Sequence, residues 1–312
     1  MEKRPYPENH PTNIWIEPTN ICNLRCDFCF HSCGVMTRDK GMMSFQVFKR
    51  IIDDVKHFQP RVVLHHSGES FLHKDLFEFI HYAKEAHLTV GLTTNGTLLA
   101  REDFRILSTG IDSLNISLGG TGEEDYRRVR TADDFAVVKE NILTLASRKR
   151  ESGVKIRLCV NVVSTKYNKD SLEDFKEEIS SVEGIDDVLV RRLLNWSGSV
   201  DVRDLSMNDS MDVDKKRRQH SLRRRLRQTL GGLRPRNLCK SVHQSAGILW
   251  DGTIVPCCID FNGTLALGNI VDGPFLDTWN GKKMARLRKM LRSRRLTKNH
   301  PICGPCRFGP QT

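Results

Sequence analysis

Cys22, Cys26 and Cys29 close the stretch Glu17-Pro-Thr-Asn-Ile-Cys-Asn-Leu-Arg-Cys-Asp-Phe-Cys29 with the spacing C-x3-C-x2-C. Three thiolates fall one short of the four protein ligands that a structural zinc ion takes. They suit a 4Fe–4S cube in which one iron stays open to a further ligand. On spacing alone, a zinc loop or three buried thiols is the bland alternative. The context narrows the choice. The cysteines directly follow a strand-like run, Asn13-Ile-Trp-Ile-Glu17.

That run opens an alternation of strands and helices that predicts parallel βα units. Ser44 is placed as the N-cap of a helix to about His57, with Phe45, Phe48, Ile51, Ile52 and Val55 as its apolar stripe. Strands are expected at Arg61–His66, Leu88–Thr93, Ser113–Leu118, Val154–Val163 and Val188–Leu194. Helices are expected at Asp75–His87, Phe135–Arg150 and Leu172–Ser181. The fold class is therefore α/β, a partial (βα)6, TIM-like barrel. In such barrels the chemistry lies at the C-terminal ends of the strands.

The 312 residues carry a formal net charge of +11, which favours anionic partners. The first ten residues lack an apolar leader segment, and no apolar run is long enough to span a bilayer. The expectation is a cytoplasmic protein with no membrane partner. Ten cysteines in such a chain point to metal rather than disulfides. Cys159 reads as a small core residue, and Cys33 is not taken as a ligand. From about Val200 to Arg236 the composition shifts. Residues 215–236 hold ten Lys or Arg, with Leu222, Leu226 and Leu230 as a thin helical stripe. That stretch reads as a solvated linker helix or a phosphate-gathering lid. Nucleic-acid binding is disfavoured because aromatic residues do not interleave the charges.

The three-cysteine loop after a first strand, with Phe28 before the last cysteine, resembles the radical S-adenosylmethionine (radical SAM) superfamily. The resemblance implies that S-adenosylmethionine chelates the open iron of a first 4Fe–4S cluster. Gly68-Glu69-Ser70, after the second strand, resembles the family's G-G-E-P motif, with Ser67 and Ser70 in place of its first glycine and its proline. It implies that Glu69 takes the amino group of S-adenosylmethionine. Thr94, Asn95 and Ser117 match positions that contact ribose and carboxylate. Arg130 resembles an arginine that pairs with the carboxylate, a contact suited to a guanidinium. Asn161 is placed toward adenosine.

At the barrel rim, Arg191 and Arg192 end the sixth strand, and alternation sends one of them inward. Such an arginine binds a hydroxyl, carboxylate or phosphate, or else it is a charge that protects an edge strand. His65 and His66 alternate likewise, so at most one points into the barrel; His66 is the candidate substrate contact, and a packed histidine is the favoured reading.

A second group, Cys239, Cys257, Cys258, Cys303 and Cys306, surrounds a hairpin signal at Asp251-Gly252. It resembles the short, twitch form of the SPASM domain, a small cysteine-rich auxiliary-cluster domain. The resemblance implies one auxiliary 4Fe–4S cluster held by Cys239, Cys257, Cys303 and Cys306, with Cys257 preferred over Cys258. A four-cysteine zinc site is the alternative that C-x2-C spacing also suits. The expected division is a barrel core at 1–199, a basic linker at 200–236 and the auxiliary domain at 237–312.

The architecture is most similar to the twitch-type dehydrogenases of aminocyclitol antibiotic biosynthesis. That implies hydrogen abstraction by a 5′-deoxyadenosyl radical and oxidation of a sugar or aminocyclitol alcohol, with the auxiliary cluster as electron acceptor. A flavodoxin- or ferredoxin-like protein would donate the electron that starts the reaction. The competing outcomes are redox-neutral chemistry on a sugar nucleotide and radical modification of a peptide side chain. A non-catalytic metal protein that binds nucleic acid is the contrasting class, and it predicts no cleavage of S-adenosylmethionine.

Overall fold

The computed structural model describes residues 10–206, 239–292 and 300–306. The basic helix expected at 215–236 lies outside these residues. Six strands run in βα order: β1 (Asn13–Ile16), β2 (Arg61–Leu64), β3 (Thr89–Thr94), β4 (Ser113–Ser117), β5 (Arg157–Ser164) and β6 (Asp187–Arg192). Between them lie α1 (Phe45–Val55), α2 (Leu76–Glu85), α3 (Leu99–Ser108), α4 (Glu123–Arg130), α5 (Phe135–Ser152) and α6 (Leu172–Ser180). After the C-terminal segment resumes come α7 (Ser241–Gln244), β7 (Ser245–Ile248), β8 (Thr253–Val255), β9 (Gly268–Asn269), α8 (Phe275–Trp279) and α9 (Lys282–Arg292).

All nine strands form one sheet, in the order β6-β5-β4-β3-β2-β1-β7-β8-β9. Its parallel part is the open, partial barrel expected from sequence. One register row, Ile248–Ile16–Leu64–Leu92–Leu114–Leu158, crosses six strands and is at most 1% exposed. Each such side chain contributes about 1.5–3 kcal/mol relative to an exposed one. Residues of opposite parity, among them Arg61, Gly91, Ser113, Asn115 and Asn161, occupy the inner face. One face is therefore packed by helices, and the other is left for polar chemistry.

Local differences from the sequence reading have local causes. The Ser44 hydroxyl caps α1 by accepting from Val47 N at 3.2 Å, but the last turn tightens to a 3₁₀ turn over Lys56–Phe58. His87 takes φ +58°, which stops α2 short of the expected end. β5 starts at Arg157, three residues late, where the ladder to β4 begins. α4 was not signalled by apolar periodicity. It starts where the Asp125 carboxylate accepts from Thr121 N and Gly122 N, and it buries only Asp125, Tyr126, Val129 and Arg130.

The C-terminal segment does not form a separate sheet. β7 pairs in parallel with β1, so the sheet continues across the expected division. Phe275 and Trp279 of α8 are fully buried, and Phe275 packs against Phe58 beneath α1 with ring centroids 6.0 Å apart. Trp279→Ala should destabilise the whole protein by about 3–5 kcal/mol through the cavity it leaves. A single thermal transition shifted downward would show this. An unshifted barrel transition would mean that the two parts melt independently.

Candidate active site

The three cysteines lie between β1 and α1. Cys29 N–H donates to Cys26 O at 3.0 Å, and Ser32 N–H and Cys33 N–H fold back onto Cys29 O. Cys26 is buried, Cys22 and Cys29 are half-buried, and Cys33 is exposed with its thiol turned to Asp27 O. Burial raises the Cys22 thiol and pushes Cys29 up to about 12.

Gly68 and Glu69 follow β2. A Cβ on Gly68 would fall 2.5 Å from both Thr19 O and Ile21 O, so only glycine lets this loop lie against the one before the cysteines. Glu69 is 2% exposed. Its carboxylate accepts from Phe71 N at 3.1 Å, Thr94 Oγ1 at 2.8 Å and Asn95 N at 2.7 Å. A carboxylate has about four lone-pair positions, so room for one more donor remains. Burial raises its pKa, against the pull of those three donors. Asn95 is held by Asn23 Oδ1 at 2.8 Å and accepts from Thr97. The Ser70 hydroxyl instead points back to Leu64 O at 3.0 Å.

Arg130, at the end of α4, is 6% exposed. Its Nη1 reaches Cys26 Sγ at 3.5 Å and its Nη2 donates to Ser117 O at 2.5 Å. Its Nε is buried without an acceptor among the described residues. Gly119 makes room for it, since a Cβ there would lie 2.2 Å from Nε. Phe28 faces the guanidinium with its ring 6.0 Å away. Ser117 and Asn161 are register partners on β4 and β5, and Arg191 Nε donates to Asn161 Oδ1 at 3.3 Å. Arg191 and Arg192 are both exposed at the end of β6.

β2 ends at Leu64, so strand alternation does not govern His65 and His66. His65 packs edge-on to Trp15, and burial lowers its pKa to about 4. The His66 imidazole is fully buried, with Nδ1 at 2.9 Å from Ser67 Oγ and 3.5 Å from Glu17 Oε1. Its Nε2 has no partner among the described residues, and it faces Gly247 of β7, 3.2 Å from where a Cβ would sit. The sequence reading missed what Glu17 does. This wholly buried carboxylate takes both Nη groups of Arg38, at 2.8 and 3.0 Å, and Trp250 N–H at 3.0 Å. Burial acts to raise its pKa, but His66 and Arg38 outweigh that and hold it at about 2.

At the other cysteine group, Cys239, Cys257, Cys303 and Cys306 line one pocket that is partly open to solvent. Cys258 does not line it, but its thiol, which burial raises to about 11, stands near those of Cys306 and Cys239. Burial pushes Cys303 up to about 12. Among the described residues no three His, Cys, Asp or Glu close round a single ion. Thiolates on one zinc would stand roughly 3.8 Å apart, given a Zn–S distance of about 2.3 Å. Four cysteines lining one pocket make a thiolate donor set of the kind that zinc or an iron–sulfur cluster takes.

Residues 16–179 match the Radical SAM superfamily, and residues 239–307 match SPASM, an iron-sulfur cluster-binding domain. The chain belongs to the radical SAM superfamily. A Pyrococcus furiosus relative, the tungsten-containing aldehyde ferredoxin oxidoreductase cofactor-modifying protein, is 26% identical over 94% of this chain and 86% of its own length. The crystal structure of BtrN in complex with AdoMet and 2-DOIA has a TM-score of 0.62 at 19% identity, over 96% of this chain and 93% of that one. Streptococcus suis SuiB bound to precursor peptide SuiA has a TM-score of 0.68 at 18% identity, over 95% and 70%. At these identities the two structures share the fold alone. As a radical SAM protein with a SPASM domain, the chain uses a 4Fe–4S cluster with S-adenosylmethionine and an auxiliary cluster. The buried Arg130 guanidinium, whose Nη1 touches Cys26, the spare lone pair on Glu69 and the four-cysteine pocket fit those groups. No helix among the described residues is long and apolar enough to cross a membrane.

The radical SAM barrel and its C-terminal domain share the Glu17–Arg38 pair, and that sets a pH dependence. Glu17 is held ionised by folding, so its contribution is whole above about pH 4.5 and is lost as pH falls toward 2. The shift corresponds to about 3 kcal/mol. In cluster-free protein, Glu17→Gln should cost about 3–5 kcal/mol at pH 7 by leaving Arg38 poorly paired. The gap between variant and wild-type melting temperatures should narrow below pH 4.5, and a constant gap would refute the assignment.

Proposed function

We propose that this enzyme abstracts a hydrogen from a small organic molecule at the barrel mouth, and that the outcome is oxidation. An alcohol of sugar or aminocyclitol type would become a ketone. The observation that carries this reading is the four-cysteine cavity on a domain joined to the barrel through β7, since oxidation needs an acceptor near the first site. When bound, the first cluster and S-adenosylmethionine supply a 5′-deoxyadenosyl radical, and the auxiliary cluster supplies a one-electron acceptor.

The protein's own residues bind and orient. Cys22, Cys26 and Cys29 hold the first cluster, and Cys239, Cys257, Cys303 and Cys306 hold the second. Glu69 offers its remaining lone pair to the ammonium of S-adenosylmethionine, and Arg130 offers Nε to the carboxylate. Asn95 and Ser117 face the ribose, and Asn161 and Phe28 face the adenosine. Arg191 and Arg192 at the rim draw an anionic or hydroxyl-rich substrate. His66 is enclosed, with Nε2 against Gly247 of β7, and braces Glu17 rather than meeting a substrate. A net charge of +11 suits an acidic flavodoxin- or ferredoxin-like donor.

A second reading, modification of a cofactor or peptide, is favoured by the relative named a cofactor-modifying protein and by the peptide bound to SuiB. Iron content separates oxidation from redox-neutral chemistry. After anaerobic reconstitution, wild type should hold about eight irons per chain, and Cys257→Ala with Cys303→Ala about four. Cys258→Ala should keep about eight. Wild type with reductant should release 5′-deoxyadenosine, and Cys26→Ala should release none. About four irons plus a zinc in wild type would remove the acceptor and, with it, the oxidation reading.

A further inference from the structure

Trp196, Ser197 and Gly198 take φ of +46°, +58° and +81° in succession, just beyond β6. Only glycine adopts that region without steric cost. Ser197 is also buried, and its hydroxyl has no hydrogen-bond partner among the described residues. A turn with these faults persists only when its neighbours over-determine it, and such turns cluster at functional sites.

The neighbours on its two sides are the two cysteine loops. Trp196 Nε1–H donates to Phe28 O at 2.9 Å, one residue before Cys29. The indole stands edge-on to Phe30, with centroids 4.5 Å apart, and to Phe261 of the C-terminal domain at 6.2 Å. On the other side, Pro305 Cβ lies 3.4 Å from where a Cβ on Gly198 would sit. Pro305 belongs to Cys303-Gly-Pro-Cys306.

The contact to Phe28 reaches further than one carbonyl. Phe28 C=O and Cys29 N–H belong to the same peptide group, and that N–H donates to Cys26 O at 3.0 Å. The indole N–H thus heads a hydrogen-bond chain through the turn that joins Cys26 to Cys29. Bonds in such a chain polarise one another.

We infer that Trp196 is a positioning residue that sets the Cys26–Cys29 turn and couples it, through Gly198 and Pro305, to the second cysteine site. This rests on the reading of both cysteine groups as cluster sites. Trp196 acts through the backbone of the cysteine loop and needs no contact with substrate.

Trp196→Phe keeps an aromatic ring and removes the N–H. It should still load about eight irons, yet bind S-adenosylmethionine five- to tenfold more weakly. The electron paramagnetic resonance signal of its reduced first cluster, with S-adenosylmethionine bound, should shift, while the auxiliary signal stays in place. Trp196→His should recover part of the affinity, because imidazole superposes on the pyrrole half of indole and sets Nε2 where Nε1 stood. A role in packing alone predicts the reverse order, with His worse than Phe. Pro305→Ala should shift the first cluster's signal in the same sense, and the double variant should shift it by less than the sum. Wild-type affinity and an unshifted signal in a fully loaded Trp196→Phe would overturn the inference. Should that variant not fold, an unshifted signal in Pro305→Ala would overturn the coupling. A wild type holding only about four irons would count against the second cluster site, whereas the comparison of Phe with His would still decide the role of Trp196 at the first.

Discussion

The buried Glu17 carboxylate is the point on which the rest of the molecule depends. Its oxygens collect Arg38 from the return limb of the cysteine loop and Trp250 N–H from the β7–β8 hairpin, and His66 stands 3.5 Å away at the end of β2. Three partners distant in sequence are thereby referred to one charge beside the first strand. A buried pair of this kind is weak evidence for net stability, because desolvation offsets much of the attraction. Its effect lies in what it excludes. Any arrangement that leaves Glu17 or Arg38 buried and unpaired is heavily penalised, so the cysteine loop and the hairpin have one acceptable relation.

The same loop is tied at further points. Arg38 Nε donates to Phe261 O at 2.6 Å. Asn262 accepts from Thr37 N at 2.9 Å and donates to Val35 O at 2.8 Å, a reciprocal clasp. Trp250 Nε1 donates to Asp39 O, and Gly41 lies under the indole, where a Cβ would meet the ring at 2.5 Å. Every one of these contacts joins residues more than 200 apart in the chain. Closing so long a loop costs entropy before the contacts form. The segment after the first three cysteines is thus held by contacts to the C-terminal hairpin, and the SPASM domain forms one wall of the radical SAM site's supporting loop.

What the sequence revealed divides along the same physical line. β1 to β4, α1 and both cysteine groups were legible because their signals are local: alternating apolar residues, the Ser44 cap, and ligand spacing that reflects the chemistry of the metal. Glu69 and Arg130 were legible through resemblance, and the structure places both in the buried interior beside the cysteines. Glu17, Arg38 and Trp196 were not, because nothing near a lone Glu, Arg or Trp announces a partner far along the chain. α4 was missed since its start rests on one carboxylate, Asp125, rather than on an apolar stripe. His65 and His66 are packed histidines, the outcome favoured from sequence, although the alternation applied to them stops at Leu64, the end of β2.

The polar groups around the first cysteines are fixed before anything binds. Glu69 already has three donors, Asn95 is braced by Asn23 and Thr97, and the Arg130 Nη groups are engaged. Fixed donors and acceptors need little reorganisation when a ligand arrives, which is the physical content of a preorganised site. The electrostatics are less comfortable. Burial drives Cys22, Cys29 and Glu69 away from their charged forms, and Arg130 Nε is left without an acceptor. A cluster's irons would favour the thiolates, the ammonium of S-adenosylmethionine would favour the Glu69 carboxylate, and its carboxylate would satisfy Arg130. On the proposed roles of Glu69 and Arg130, folding and loading would be linked, the bound groups offsetting the electrostatic cost of the rigid scaffold.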